Sequence, residues 1–231
     1  RIDLIHFYNK ILDAPKTNIL DKTGNPILSH FVMSNARNLR LSDCRDGHIY
    51  SDEKDAYRYS FTHKADGIRR LLIFGETGIW LVYAPYIFNL LFRYEDFKDD
   101  KEAYSYLTSL VGSIFDGEEI QKNMRVGMTD SQSKSGINAE HFYVPFDCMA
   151  LGGDRSIQKM DLFARQSSID ILSIFNKIPN PILSIYRKEF LEVNSPERMF
   201  TILGDLEKKR DQLPFQTDGY LVTPINSPYF T

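Results

Sequence analysis

The spacing of apolar and polar positions divides this chain into short strands and three helical stretches. Within residues 1–20, Ile2, Ile5, Tyr8 and Leu12 recur at helical spacing and predict an amphipathic helix. Asp21 to Pro26 reads as a turn, and Ile27 to Met33 as a short strand. Tyr59, Phe61 and His63 then alternate along a strand that arrives at Lys64. Asp66-Gly67 predicts a tight turn, Ile68 to Phe74 a returning strand, and Gly75 to Gly78 a second turn before a strand over Ile79 to Ala84. The expectation is an antiparallel meander with Lys64 at its first corner.

Further on, Leu107 to Phe115 is an apolar run that ends in Asp116-Gly117-Glu118, and Gln121 to Glu140 reads as a polar surface loop. His141 to Leu151 predicts a strand containing Phe146-Asp147. Ser156 to Phe175 has helical periodicity and stops before Pro179 and Pro181. Ile182 to Val193 predicts a strand carrying Arg187-Lys188. Ser195-Pro196 opens a helix to about Arg210, because serine caps well and proline suits a first turn. Tyr220 to Thr223 predicts a last strand. Strands and helices mix without strict alternation, which favours an α+β fold over a doubly wound parallel sheet.

Composition narrows the function classes. The chain of 231 residues, 42% hydrophobic and 26% charged, is ordinary globular material with enough apolar residues for a core. A net charge of -3 argues against a general nucleic-acid coat while leaving room for a local basic groove. Cys44 and Cys148 form neither a metal-ligand spacing nor a disulfide framework, as expected in a reducing compartment. The sequence starts at Arg1 and stops at Thr231 just after a strand-like run, so a piece of a longer protein is expected.

The candidate chemistry lies at strand ends. A lysine amine can act as a nucleophile when burial or nearby cations favour its neutral form, and Lys64 sits beside Asp66 and Arg69 in sequence. The ordinary reading is an exposed lysine beside a hairpin turn. Asp116-Gly117, Phe146-Asp147, Lys188 and Asp218-Gly219 each have an equally ordinary reading as a turn, a core aromatic or a solvated strand residue. Their order along the chain is the informative part. Folded into antiparallel sheets, such strands can bring Lys64, Glu118 and Asp218 into one cleft, where carboxylates could hold a divalent metal against a polyphosphate. No P-loop sequence is present.

Lys64-Ala65-Asp66-Gly67-Ile68-Arg69 resembles the Lys-x-Asp-Gly-x-Arg motif of the covalent nucleotidyltransferases, the superfamily of mRNA capping enzymes and ATP-dependent DNA and RNA ligases. Phe115 to Glu118 resembles its Asp-Gly-Glu motif, and Tyr143 to Leu151 its aromatic-x-x-Phe-Asp strand. Thr217-Asp218-Gly219 followed by Thr223-Pro224 resembles the capping version of the next motif, where ligases carry Glu-Gly. Ile185 to Phe190 is similar to the capping-enzyme strand with a base-contacting lysine. The resemblance runs from Tyr59 to Pro224.

The resemblance implies a nucleotidyltransferase (ATP-grasp-like) domain over residues 1–231, with antiparallel sheets, flanking helices and a nucleotide cleft between the sheets. It implies an RNA guanylyltransferase that moves GMP from GTP through a lysyl-GMP intermediate on Lys64 to the 5′-diphosphate end of RNA. Arg69 and Glu118 would contact the ribose, Phe146 would stack on guanine, Lys188 would contact the base, and Asp218 with Glu118 would support Mg2+ or Mn2+. Triphosphatase and methyltransferase activities are expected partners, on the same chain or another. Action in the nucleus is expected, or in the cytoplasm for a viral or plasmid-borne member. Two departures stand out. The family's Lys-x-Lys motif and the OB domain beyond it are absent from this sequence, and Ile79 to Ala84 lacks the arginine common on that strand. An ATP-dependent ligase and a retired binding module are the alternatives.

Overall fold

In the computed structural model, residues 2–12, 58–83, 87–125, 139–178 and 182–229 are described. The predicted strand at 27–33 and Cys44 lie outside them. Helix α1 spans Ile2–Leu12, as expected. Strands β1 (Tyr59–Ala65), β2 (Ile68–Phe74), β3 (Gly78–Tyr83) and β4 (Ile87–Arg93) follow, then α2 (Lys101–Ser109), β5 (Ile114–Ile120) and β6 (His141–Ala150). The helical run expected over Ser156 to Phe175 is broken. Only α3 (Leu162–Ser167) is α-helical, between 3-10 turns over Ser156–Lys159 and Ser168–Asn176. Strands β7 (Leu183–Ile185) and β8 (Leu191–Val193), helix α4 (Pro196–Lys209) and strand β9 (Thr217–Pro224) complete the order.

The strands form two sheets, one of six strands in the order β4-β3-β2-β5-β6-β7 and one of three in the order β8-β1-β9. All pairings are antiparallel except β6 with β7. The fold is therefore α+β, with mostly antiparallel sheets flanked by helices.

The structure departs from the sequence expectation at two places. The Lys64 corner is not a hairpin: β1 pairs with β8 and β9, whereas β2 pairs with β3 and β5. Asp66-Gly67 carries the chain from the small sheet into the large one. Gly67 is required by close packing, since a Cβ there would lie 2.9 Å from the Glu119 carbonyl oxygen and 2.9 Å from Ile120 Cδ1. Likewise, the strand expected over Ile182 to Val193 is two strands in two sheets, and residues 186–190 cross between them. The Gly75–Gly78 turn is a true hairpin, with Phe74 opposite Ile79.

Period-two alternation explains how the large sheet is buried on both faces. Leu72, Phe74, Phe115 and Tyr143 pack against Leu107 of α2 and against Ile169, Leu172 and Phe175. Leu71, Ile73, Ile114 and Met149 face the other way, onto Leu4 of α1 and Tyr229. The small sheet packs Phe61 and Val193 against Ile202 and Leu206 of α4. That helix begins where its sequence dictates: Ser195 accepts from Arg198 N at 3.2 Å and Pro196 occupies the first turn. Ala65, Ile120, Phe142, Val144 and Phe215 form the cluster that joins the two sheets.

Candidate active site

The site lies along the seam between the sheets. Lys64, at the end of β1, contacts Asp218 on β9 with Nζ 2.5 Å from Oδ2. Both side chains are substantially exposed, at 42% and 48%. Asp218 reaches Lys64 because β9 bulges there. Lys64 pairs with Gly219 and Ala65 with Thr217, leaving Asp218 as the extra residue. A bulge re-aims the side chain it carries, and Gly219 accommodates the backbone at φ +147.

A second bulge does the same for Phe146. Asp116 pairs with Asp147 and Gly117 with Pro145, so Phe146 is unpaired between them. Its ring lies beneath two cations: Arg69 Cζ is 5.6 Å and Lys188 Nζ 5.5 Å from the ring centroid. Cations over an aromatic face are attracted by the ring quadrupole.

Strands β2 and β5 supply the acidic wall. Arg69 stands opposite Glu118, and Leu71 opposite Asp116, so Arg69, Asp116 and Glu118 share one face. Asp116-Gly117 is mid-strand rather than the tip of a hairpin. Gly117 leaves room for the Tyr143 ring, whose Cζ a Cβ would meet at 2.5 Å. Asp116 is fully buried and grips Arg69, with Nε 3.0 Å from Oδ1 and a second contact from Nη2 to Oδ2. Burial opposes the charge on Arg69, but Asp116 outweighs it and holds the guanidinium protonated well above its ordinary range.

Glu118 has no such partner among the described residues. Among the described residues its Oε2 is buried without a hydrogen bond. Burial raises its pKa, and the Lys188 and Lys64 ammonium groups pull it back down. Lys188 sits in the 186–190 crossing and is 2% exposed. Its Nζ donates to the His63 carbonyl at 3.1 Å. Burial lowers its pKa to about 8, Glu118 resists the shift and Lys64 adds to it.

All six residues singled out from the sequence therefore gather on one seam: Lys64, Arg69, Glu118, Phe146, Lys188 and Asp218. Sequence reasoning gave the supporting residues no role. Asp147 does not face the cleft as a free carboxylate but takes Arg165, with Nε 2.8 Å from Oδ1 and Nη2 3.1 Å from Oδ2. Gln166 donates its amide to the Phe146 carbonyl. Asp116 and Tyr229 complete this layer. Only the Asp-Gly-Glu spacing pointed to Asp116; nothing local marks Arg165 as buried.

The chain is 26% identical over 242 residues to an mRNA-capping enzyme subunit alpha from Candida glabrata, an alignment covering 98% of this chain. The chain resembles a capping enzyme along nearly its whole length. It spans about half of that relative, 47% of its length. The fold is shared with the solved structure Pmar-Lig_PreS3, at a TM-score of 0.53 and 13% identity, over 81% of this chain and 42% of that one. A Chlorella virus DNA ligase-adenylate structure aligns at a TM-score of 0.42 and 16% identity, over 74% of this chain and 55% of that one. No family model matches the chain. Among the described residues no helix is long and apolar enough to cross a membrane.

Proposed function

We propose that this chain is the nucleotidyltransferase domain of an mRNA-capping guanylyltransferase. The observation that carries the reading is the Lys64 amine held against Asp218 at the sheet seam, beside a ring flanked by Arg69 and Lys188. In the first half-reaction the Lys64 Nζ lone pair attacks the α-phosphorus of GTP. A P–N bond forms, the P–O bond to pyrophosphate breaks, and the amine proton leaves with the pyrophosphate. In the second, a terminal oxygen of the RNA 5′-diphosphate attacks the same phosphorus, the P–N bond breaks, the nitrogen takes a proton from the entering diphosphate or from water, and Lys64 is regenerated.

The other groups bind and orient. Phe146 offers its face to guanine, a stacking contact worth roughly 1–3 kcal/mol. Lys188, beside that ring, donates to an acceptor on the base. Arg69, already fixed by Asp116, meets the ribose. Positioning of this kind is most of what phosphoryl and nucleotidyl transfer requires.

The residues fit a divalent metal. Among the described residues no group of three or more His, Cys, Asp or Glu could enclose an ion, but Mg2+ takes one or two carboxylates and completes its shell with phosphates and water. Glu118, with its orphaned Oε2, and Asp218 are the carboxylates that would hold Mg2+ or Mn2+. The metal would neutralise charge on the transferring phosphate. The name of the relative, a subunit alpha of a capping enzyme, supports RNA as acceptor and association with the other capping activities.

The test is intact-mass analysis after incubation with magnesium or manganese and either GTP or ATP. A GMP adduct that Lys64→Ala abolishes is the expected result. An AMP adduct would move the protein to the ligases. No adduct with either nucleotide, in this chain or in a longer one that contains it, would sink the enzymatic reading.

A further inference from the structure

One buried hydroxyl reaches the site from outside every motif considered so far. Tyr229 lies beyond β9 and is 5% exposed. Its hydroxyl donates to Asp116 Oδ2, and Arg69 Nη2 lies 3.5 Å from the Tyr229 hydroxyl oxygen. The Asp116 carboxylate thus holds the Arg69 fork on both oxygens and the phenol on Oδ2, beside the Gly117 backbone N–H. A carboxylate held only by an arginine can swivel with it. One that also accepts from a fixed hydroxyl cannot. The Arg69 side chain itself remains 26% exposed.

Tyr229 is itself well anchored. Its backbone N–H donates to the Gln158 carbonyl at 2.8 Å. The segment before it accepts from Leu162 N at the Ile225 carbonyl, 2.8 Å, and from Arg165 Nη1 at the Ser227 carbonyl, 2.9 Å. Arg165 is also the partner of Asp147, the neighbour of Phe146. Burial holds the phenol pKa well above its ordinary range, so the group remains a donor.

We propose that Tyr229 is a positioning residue for nucleotide binding: through Asp116 its hydroxyl fixes the Arg69 guanidinium above the Phe146 ring. The proposal rests on the reading in which Arg69 and Phe146 hold the nucleotide. Tyr229→Phe removes the hydroxyl and keeps the ring in its apolar setting. Hydrogen bonds to charged groups are among the stronger ones, and this one acts at one remove, so KM for GTP in adduct formation rises about three- to ten-fold. Loss of ground-state and transition-state binding together leaves kcat within about two-fold. Solvent exchange of the Arg69 Nε–H, followed by 15N NMR, becomes faster.

Ile225→Ala is the control. It loosens the same segment at a residue 2% exposed and touches neither Asp116 nor Arg69 in the described contacts. It lowers the melting temperature while KM stays within about two-fold of wild type, as expected for a site outside the binding contacts. An unchanged KM in Tyr229→Phe, or an equal KM rise in Ile225→Ala, overturns the proposal. Should the wild-type chain form no adduct at all, the guanylyltransfer reading falls separately. The NMR signal then decides: faster Arg69 exchange in Tyr229→Phe sustains the positioning role, and an unmoved signal overturns it.

Discussion

Arg165→Met isolates the energetics of the layer behind the Phe146 bulge. Arg165 is 2% exposed and Asp147 7%. The guanidinium makes two contacts to the Asp147 carboxylate, at 2.8 and 3.1 Å, and Nη1 adds the carbonyls of Met160 and Ser227, at 2.5 and 2.9 Å. Methionine fills much of the same volume but satisfies none of the four. Asp147 would keep the Cys148 N–H, 2.8 Å from Oδ1, and otherwise stand as an uncompensated buried charge. Removing one partner of such a pair costs about 3–5 kcal/mol. In a domain of this size each kcal/mol lowers the midpoint by about 2–4 °C, so a fall of roughly 6–20 °C is expected in a thermal melt. The double variant Arg165→Met with Asp147→Leu removes the stranded charge as well. It should recover most of the loss, ending within about 2 kcal/mol of wild type by denaturant unfolding, because an apolar pair of similar volume replaces a buried ion pair at little cost. A single variant within about 1 kcal/mol of wild type, or a double variant no better than the single, would refute the reasoning.

Other consequences follow from the same seam. Glu118→Gln should raise the melting temperature at neutral pH while abolishing most adduct formation. Burial raises the Glu118 pKa, so the native state binds its proton more tightly, and the stability this gives is lost as pH rises through the folded value. The advantage of glutamine must therefore grow with pH, and a pH-independent difference would contradict it. For Lys188 the sign is opposite. Its pKa is about 8 in the fold against about 10.4 unfolded, so the unfolded chain binds more protons between those values and stability rises with pH there, by roughly 3 kcal/mol in all. Lys188→Met should flatten that rise in urea titrations at pH 7.5 to 10.5, values spanning the window about the two pKa values. Phe146→Ala should weaken GTP binding by calorimetry roughly ten-fold or more without moving the adduct from Lys64, and unchanged affinity would show the stacking role misplaced.

Much of this was legible in the sequence, and the misses share a physical cause. Alternation identified β1, apolar runs beside turn residues identified β2, β3 and β6, and the Ser195-Pro196 signal set the start of α4, because each is a local property of the chain. Which sheet a strand joins is not local. Asp66-Gly67 has the composition of a hairpin turn, yet its glycine answers to the Glu119 carbonyl across the seam. Residues 182–193 read as one strand since nothing in them announces a change of partner. The two bulges did leave marks. Pro145 within a strand and Gly219 beside Asp218 are the residues that favour a bulge, and each flanks a side chain that the bulge re-aims. Arg165, by contrast, sits on a helix where a long cation is ordinarily solvated, and only tertiary contact reveals its burial.

The topology accounts for the gathering of these groups better than any single motif does. The chain passes between the two sheets at 66–67 and again at 186–190. Lys64 lies immediately before the first passage and Lys188 within the second. A side chain at such a passage belongs to neither sheet face and stands in the seam by construction. After β9 the chain returns a third time, from the small sheet to the face of the large one where Tyr229 packs. The remaining groups come from the sheets themselves, Arg69 and Glu118 from paired positions on β2 and β5, and Phe146 and Asp218 from bulges. The seam thus draws on both sheets at once, and its geometry depends on how they are held together. Ala65, Ile120, Phe142, Val144 and Phe215 form that joint. A residue such as Phe215, 1% exposed and in ring contact with Tyr186 and Phe142, has no chemistry of its own, yet it packs in the joint between the sheet that carries Lys64 and the sheet that carries Phe146.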